Sequence, residues 1–567
     1  MKPVTDPIPE HLLPFISSQD MSQYTAINHA TWRYTLRIAR NFFKKHAHEK
    51  YLSGLKLTGI SIDQIPSIDD MDRKLRAFGW RAVPVSGFIP PAIFMEFQSL
   101  GILPIACDMR SVDHLAYTPA PDIIHEAAGH APILADEEYA QYLRRHGEVA
   151  KYAIFSKQDL SVYEAIRHLS DIKENPNSAE SDITAAQKQL DTAITQQTYV
   201  SEASYLARMN WWTAEYGLVG SLKDPKIFGA GLLSSVGESA HCLSDQVMHV
   251  PFSLDCINTS YDITRPQPQL FVTPDFPTLT NILESFAKTM AYRTGGLTGL
   301  AKAILSESVC TIVLDGALQV SGILHHLIEV IHSSEPAYLK FRGPCQVSFQ
   351  ESEIEGQSAT DHAEGFGLPL GLPQQWSSPS DIDQYPLKSK LNLTLSTGVH
   401  IEGTLVRCST HDKHGRIATL EPAKVTYQGE VLFDPQWGPF DWVIGAKVTS
   451  VFGGAADRAA YLKKTGGLKV IKKPHLKLLD PSDEVLNTYF ERTAQLRAEG
   501  ATPEQIRKEL SEIAENLIKH YPKHWLCHME LIELDPTGSK RSREHIQTLC
   551  SKDPEIAALV NRGLELL

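Results

Sequence analysis

The run Asp122-Ile123-Ile124-His125-Glu126-Ala127-Ala128-Gly129-His130 decides the reading of this chain. Two histidines stand five apart with a carboxylate directly after the first, a pattern that suggests two metal ligands and an acidic group beside them. A zinc protease instead sets its histidines four apart on one helical face, with a glutamate between them as general base. Here the fourth position is Gly129, which can ligate nothing. At about 100° per residue, five positions turn roughly 140° round an α-helix. His125 and His130 therefore converge only where a helix begins or is distorted, and a third ligand has to come from elsewhere.

Glu215, in Trp211-Trp212-Thr213-Ala214-Glu215-Tyr216-Gly217, is the expected third ligand. The segment is aromatic and would otherwise be an ordinary buried helix. An unpaired carboxylate is costly there unless a metal or strong hydrogen bonds offset its burial. Two imidazoles and one carboxylate on one face of an octahedral ion leave three positions open, which suits non-haem Fe(II).

A histidine pair at this spacing is common, so the surrounding blocks matter more than the pair. Arg110 and then Tyr117-Thr118-Pro119-Ala120-Pro121-Asp122 lead into the histidines. Phe228-Gly229-Ala230-Gly231-Leu232-Leu233-Ser234-Ser235-Val236-Gly237-Glu238 follows Glu215. In that order the blocks resemble the catalytic domain of the pterin-dependent aromatic amino acid hydroxylases, over residues 24–295. The bacterial phenylalanine 4-hydroxylase branch is matched in particular, its Gly-Phe-hydrophobic-Pro stretch standing here as Gly87-Phe88-Ile89-Pro90.

The resemblance implies a mostly α catalytic domain and a monooxygenase using Fe(II), a tetrahydropterin and oxygen. It would hydroxylate an aromatic ring, L-phenylalanine to L-tyrosine, through a ferryl-oxo oxidant, with tyrosine or tryptophan as rival substrates. His125, His130 and Glu215 would ligate iron, Ser234 would bond a ligand imidazole, and Glu238 would lie beside them. Gly87, Phe88, Ile89 and Phe94 would form the pterin pocket, with Glu126 facing the pterin ring. Arg110 would take the substrate carboxylate, Thr118 and Ser235 its backbone, and Trp211 and Pro121 would wall the ring. Read alone, Arg110 would rather pair with Asp108 or Asp113. Pro91 and Pro104 replace a serine and a histidine of the animal enzymes, so two pterin contacts are missing. A hydrolytic metalloenzyme is disfavoured by Gly129, and a non-enzymatic iron sensor by the intact set of site residues.

Composition fits such an enzyme. A chain of 567 residues exceeds a single core and should hold two or three domains. With 42% hydrophobic and 21% charged residues it reads as a soluble globular protein. The start Met1-Lys2-Pro3-Val4-Thr5-Asp6 lacks a signal-peptide core, and no apolar run reaches membrane length. Eight scattered cysteines without CxxC pairs read as a reduced, cytoplasmic chain. A net charge of −13 argues against general nucleic-acid binding.

Residues 1–23 read as a flexible lead-in, and Trp32, Tyr34, Leu36, Ile38, Phe42 and Phe43 predict a helix within 24–54. The stretch from Lys157 to Thr198 is polar and reads as an inserted helical hairpin, a surface decoration rather than a lid. Residues 296–334 are apolar and read as a helical connector. A period of two then predicts a small antiparallel β domain over 335–470, with His411 and His414 in a solvated turn. Residues 480–567 read as helical again. Thr502-Pro503-Glu504-Gln505 is a start signal ahead of the stripe Ile506, Leu510, Ile513 and Leu517. That stripe is expected to be buried against its own protein, with self-association as the alternative.

Overall fold

The computed structural model describes residues 7–87, 89–115, 121–174, 178–262, 266–333, 335–411, 415–467, 481–500 and 502–567. Among them the catalytic half is mainly helical, with two small sheets. Arg81–Val85 pairs in parallel with Ile102–Ala106, and Leu218–Ser221, Asp224–Ile227, Met248–Pro251 and Gln269–Thr273 form the other.

The helix Ala26–His46 is shared by two cores. It starts at a capping box in which Thr25 and Asn28 exchange hydrogen bonds, and ends on Lys44, Lys45 and His46, which suit the negative end of its dipole. Trp32, Leu36 and Phe43 enter the catalytic core. Ala30, Tyr34 and Ile38, each four residues on, enter a different core made largely by the C-terminal helices. A helix apolar on two faces is buried on both.

The lead-in is less loose than its composition suggests. Residues Glu10–Phe15 form a 3-10 helix, and Leu12 and Phe15 are buried against Val83, Val85, Ile93 and Phe97. Apolar side chains at 12, 15 and 16 form a short one-sided stripe, too brief to register as periodicity. His11 and Arg458 both pair with Glu96, which ties this segment and the distant β region to the helix Pro91–Ser99.

The reading of 296–334 as a helical connector is corrected. The helix Gly296–Ser306 stops at Glu307, which takes a left-handed conformation, and the strands Val309–Leu314 and Leu318–Glu329 follow. The apolar run Val309-Cys310-Thr311-Ile312-Val313-Leu314 is rich in β-branched residues and buried on both faces, so it lacks the alternation that marks a half-exposed strand. The β region therefore begins at 309, not 335. It holds two antiparallel sheets. In one, Pro336–Phe349, Leu318–Glu329, Val309–Leu314 and Val448–Gly453 are successive neighbours. In the other, Lys390–Thr394, His400–His411, Gly415–Tyr427 and Glu430–Phe433 follow in order, and Phe440–Ile444 also pairs with Gly415–Tyr427. The helix Arg458–Thr465 closes the region. Of the two turn histidines, His411 ends a strand, whereas His414 lies outside the described residues.

The segment 157–198 forms the hairpin of helices Lys157–Glu174 and Glu180–Thr195, joined by Ala165, Leu169, Ala186 and Leu190. From 481 onward the described residues hold five helices. The third, Trp525–Leu534, is buried almost throughout, and the capped helix Pro503–His520 turns its whole stripe into the same core.

Within this bundle burial holds His524 at about 4 and His528 at about 3, with the neighbouring His545 and His524 adding to the fall at His528. Both values lie below the ordinary 6.5, so the unfolded chain binds more protons as pH drops beneath that value. The contribution of these two histidines to stability is thus expected to fall from about pH 6.5 towards pH 4, by up to about 1.4 kcal/mol per histidine per pH unit. Thermal unfolding followed across that range checks this. A His528→Gln variant should show a shallower loss, and an identical slope would contradict the assignment.

Candidate active site

Both segments that carry the expected ligands are π-helical: Ile124–His130 and Trp211–Glu215. A π-turn closes i→i+5 hydrogen bonds, so residues five apart lie nearly above one another. This is the distortion that the His125–His130 spacing requires. His125 Nε2 lies 3.3 Å from Glu215 Oε2, and His130 Nε2 lies 3.2 Å from Glu215 Oε1. One ligand atom from each of the three residues falls within 4.8 Å of the others.

Glycines let the second shell of backbone close in. A Cβ on Gly129 would sit 2.7 Å from the Ala230 carbonyl oxygen, and one on Gly229 would sit 2.4 Å from that of Glu215. The short helix Ala230–Ser234 thereby packs directly on the histidine turn. Its Ser234 Oγ donates to the Ala230 carbonyl at 2.7 Å and lies 3.1 Å from His125 Nδ1. With the hydroxyl proton so committed, Nδ1 is placed to donate, which would free His125 Nε2 to ligate a metal held between it and Glu215.

The electrostatics fit a cation. Burial alone would raise Glu215, but His130 and His125 outweigh it and hold its carboxyl below the usual range. His130 Nε2 and Glu126 Oε2 are buried without a hydrogen-bond partner, 3.9 Å apart. Such atoms are costly unless something binds them. The donor set and its orphaned nitrogen fit a hard-to-borderline metal such as Fe(II). Burial pushes Glu126 up to about 8, Glu215 and Asp122 adding to the rise and His130 opposing it. Burial likewise lifts Glu238 to about 7 against the hydroxyl of Tyr216, which donates to it at 2.9 Å.

Arg110 pairs with neither Asp108 nor Asp113. It is buried and forks onto Asp122, Nε to Oδ2 at 2.8 Å and Nη2 to Oδ1 at 2.7 Å, while Nη1 donates to the Ser234 carbonyl at 3.0 Å. Asp122 also accepts the backbone N–H groups of Arg110 and His125. Burial would raise this carboxyl, and Arg110 more than reverses that. Asp122 is thus the residue the sequence reading quoted but gave no role. Its position three before His125, where a capping acid sits, was the available signal. Asp108 instead accepts the Gly87 N–H at 3.0 Å, with Gly87 at a φ of +63° that favours glycine.

Trp211 stacks on Tyr216 and on Tyr261, with ring centroids 4.5 and 4.2 Å apart. Tyr261 is far along the chain and carried no motif, so it was missed. Ser235 caps the helix Val236–His241 through the Glu238 N–H. Pro121 is half-buried beside Asp122, and Ile89 and Phe94 are half-buried around the start of the helix Pro91–Ser99. Phe88 and Thr118 lie outside the described residues. No helix among the described residues is long and apolar enough to cross a membrane, and the eight cysteines are free thiols.

The family model for biopterin-dependent aromatic amino acid hydroxylases matches residues 16–154 and 181–295. Its interruption covers the first helix of the inserted hairpin. The phenylalanine-4-hydroxylase of Pseudomonas aeruginosa is 28% identical over 263 residues, covering 46% of this chain and 83% of that protein. That of Mesorhizobium japonicum is 29% identical over 275 residues, covering 48% and 83%. Among solved structures, Chromobacterium violaceum phenylalanine hydroxylase with bound iron(III) and 7,8-dihydrobiopterin is 26% identical, covering 48% of this chain and 85% of that one, with a TM-score of 0.38.

Proposed function

We infer the activity from descent: over residues 16–154 and 181–295 the chain belongs to the biopterin-dependent aromatic amino acid hydroxylases, and it converts L-phenylalanine to L-tyrosine. A tetrahydropterin and oxygen would be the co-reactants, the pterin supplying the reducing electrons. The observation that carries this reading is the convergence of His125, His130 and Glu215 on one point, with a buried imidazole nitrogen left unpartnered.

Iron(II) bound there, with the reduced pterin beside it, supplies the oxygen activation that no amino-acid side chain can. His125 and His130 would hold it through Nε2 and Glu215 through its carboxylate, leaving the opposite face open. Ser234 fixes the orientation of the His125 ring, and the π-turns keep both ring planes where they are needed. Glu126, buried 3.9 Å from His130 Nε2, would face the pterin side. Gly87, Ile89 and Phe94 would line the pterin side, where a flat ring such as that of Phe94 suits a heterocycle; Phe88, expected there too, lies outside the described residues. Asp122 and Ser234 take three of the five Arg110 N–H groups, and the other two would meet the substrate carboxylate. Ser235 would meet the amino-acid backbone, as expected of Thr118 outside the described residues, and Pro121 with the Trp211 stack would wall the ring. Enclosing the reactants in this way positions them and keeps water from the oxidant.

The test is turnover of the purified chain loaded anaerobically with Fe(II), then given tetrahydropterin, oxygen and phenylalanine, tyrosine or tryptophan separately. Tyrosine formed from phenylalanine in step with pterin oxidation is expected. Hydroxylation of tyrosine or tryptophan instead would reassign the substrate. Absence of pterin oxidation in protein shown to hold iron would overturn the reading.

A further inference from the structure

We propose that the C-terminal helical bundle is a wall of the amino-acid side of the active site, with Arg562 as a positioning residue that acts through the Val236 carbonyl on Ser235 and Ser234. The proposal rests on the hydroxylase reading above and goes beyond it, because the family match ends at residue 295 and the bundle starts nearly two hundred residues later.

Three observations carry it. The first is where the apolar surface of the substrate side is buried. Leu115 and Val236 are 0% and 4% exposed, and they belong to the same apolar cluster as Phe490, Ile513, Trp525 and Val560, apart from the catalytic core. Half-buried Val112 packs on that cluster too, and Asp113 lies close enough to His524 to bias its charge. So the segment that leads from Arg110, and the residue after Ser235, are both covered by helices from the far end of the chain.

The second is a polar contact at that seam. Arg562 Nη1 donates to the carbonyl oxygen of Val236, which also accepts the Ser239 hydroxyl. Val236 opens the short helix capped by Ser235. One residue earlier, Ser234 offers its carbonyl to Arg110 and its hydroxyl to His125 Nδ1. A helix of six residues has little stiffness of its own, so its position is set by what grips its ends. Arg562 grips the end next to the proposed substrate contacts. A charged donor is stronger on a carbonyl than a neutral one.

The third is that the bundle is firmly seated. Tyr34 Oη donates to the Leu559 carbonyl at 2.9 Å and its ring meets Trp525 edge-on. The buried carboxylate of Glu530 takes both Arg33 and Arg497. Gly563 lies so near the long N-terminal helix that a Cβ there would come within 2.3 Å of Tyr34 Oη. A wall this well docked can transmit a fixed position to Val236, whereas a tethered, mobile unit could not.

The experiment compares full-length protein with Arg562→Ala and Arg562→Lys. Iron content and KM for the tetrahydropterin should stay at the parent values. KM for phenylalanine should rise about tenfold in Arg562→Ala, the size expected from losing one charge-assisted hydrogen bond, and Arg562→Lys should recover most of it. Amide hydrogen exchange of the same proteins without substrate or pterin should speed up over residues 234–241 in Arg562→Ala. Equal changes in both KM values, or a lowered Tm with both KM values and the exchange unchanged, would overturn the proposal. The exchange arm needs no turnover, so it decides the contact even if the parent chain proved to hydroxylate a different substrate. Should Arg562→Ala fail to fold, Gly563→Ala, which pushes the last helix away from Tyr34, is read by the same two measurements with the same expected split.

Discussion

Glu215→Ala is expected to leave a folded protein that binds no stoichiometric iron and forms no hydroxylated amino acid. Among the described residues Glu215 approaches both imidazoles, at 3.3 and 3.2 Å. Losing an outer-shell partner already costs about 10–100-fold in metal affinity or activity, and losing a ligand costs more. The fold should survive because the helix Glu202–Asn210 and the strand Leu218–Ser221 flank the π-turn and hold it from both sides. Metal analysis after gel filtration and a near-UV circular dichroism spectrum separate the two effects. Iron at one per chain with parent turnover would refute the site. Ser234→Ala makes the graded counterpart, since it frees the His125 ring without removing a ligand, and its loss should lie near the 10–100-fold range.

Arg110→Ala should have the second-largest effect, and it should show twice. The substitution strands Asp122, which is 3% exposed and loses both arms of its fork, so stability should drop by about 3–5 kcal/mol. Asp122 also holds the His125 N–H, so part of the damage reaches the metal turn. At the substrate, KM for the amino acid should rise far more than KM for the pterin. Arg110→Lys should rescue little, because an ammonium cannot satisfy Asp122, the Ser234 carbonyl and a substrate carboxylate from one planar fork. Chemical denaturation and steady-state kinetics together check this. Parallel rises in the two KM values would mean that Arg110 serves only to hold Asp122.

The two effects have one origin. Arg110 and Asp122 form a buried pair that joins the substrate side to the histidine turn, and the bundle covers that same side from outside. Substrate binding and the docking of the last hundred residues are therefore expected to respond to each other. The acid sensitivity from His524 and His528 should then appear first as weaker amino-acid binding, ahead of global unfolding.

The sequence by itself was enough to propose the metal-holding residues. His125, His130 and Glu215 are a matter of residue type and order, and Gly129 was enough to set the run apart from a protease helix. It also determined the helices with strong local signals, such as the capped start at Thr502 and the long helix after Thr25. Only the tertiary structure decided how the histidines converge, because a π-turn is a backbone distortion that packing on Ala230 and Glu215 stabilises and no local propensity encodes. Only the tertiary structure could show that Val309–Leu314 is a strand. A segment buried on both faces has no periodicity to read, and its partners Leu318–Glu329 and Val448–Gly453 are fixed by the sheet. The partner of Arg110 was undecidable for the same reason: three aspartates lie within twelve residues of it, and distance in sequence does not rank them. One signal was present and needed the fold to interpret it. The helix 26–46 is apolar on two faces, which says that something covers the second face. That the C-terminal helices cover it, some five hundred residues away, follows from long-range packing alone.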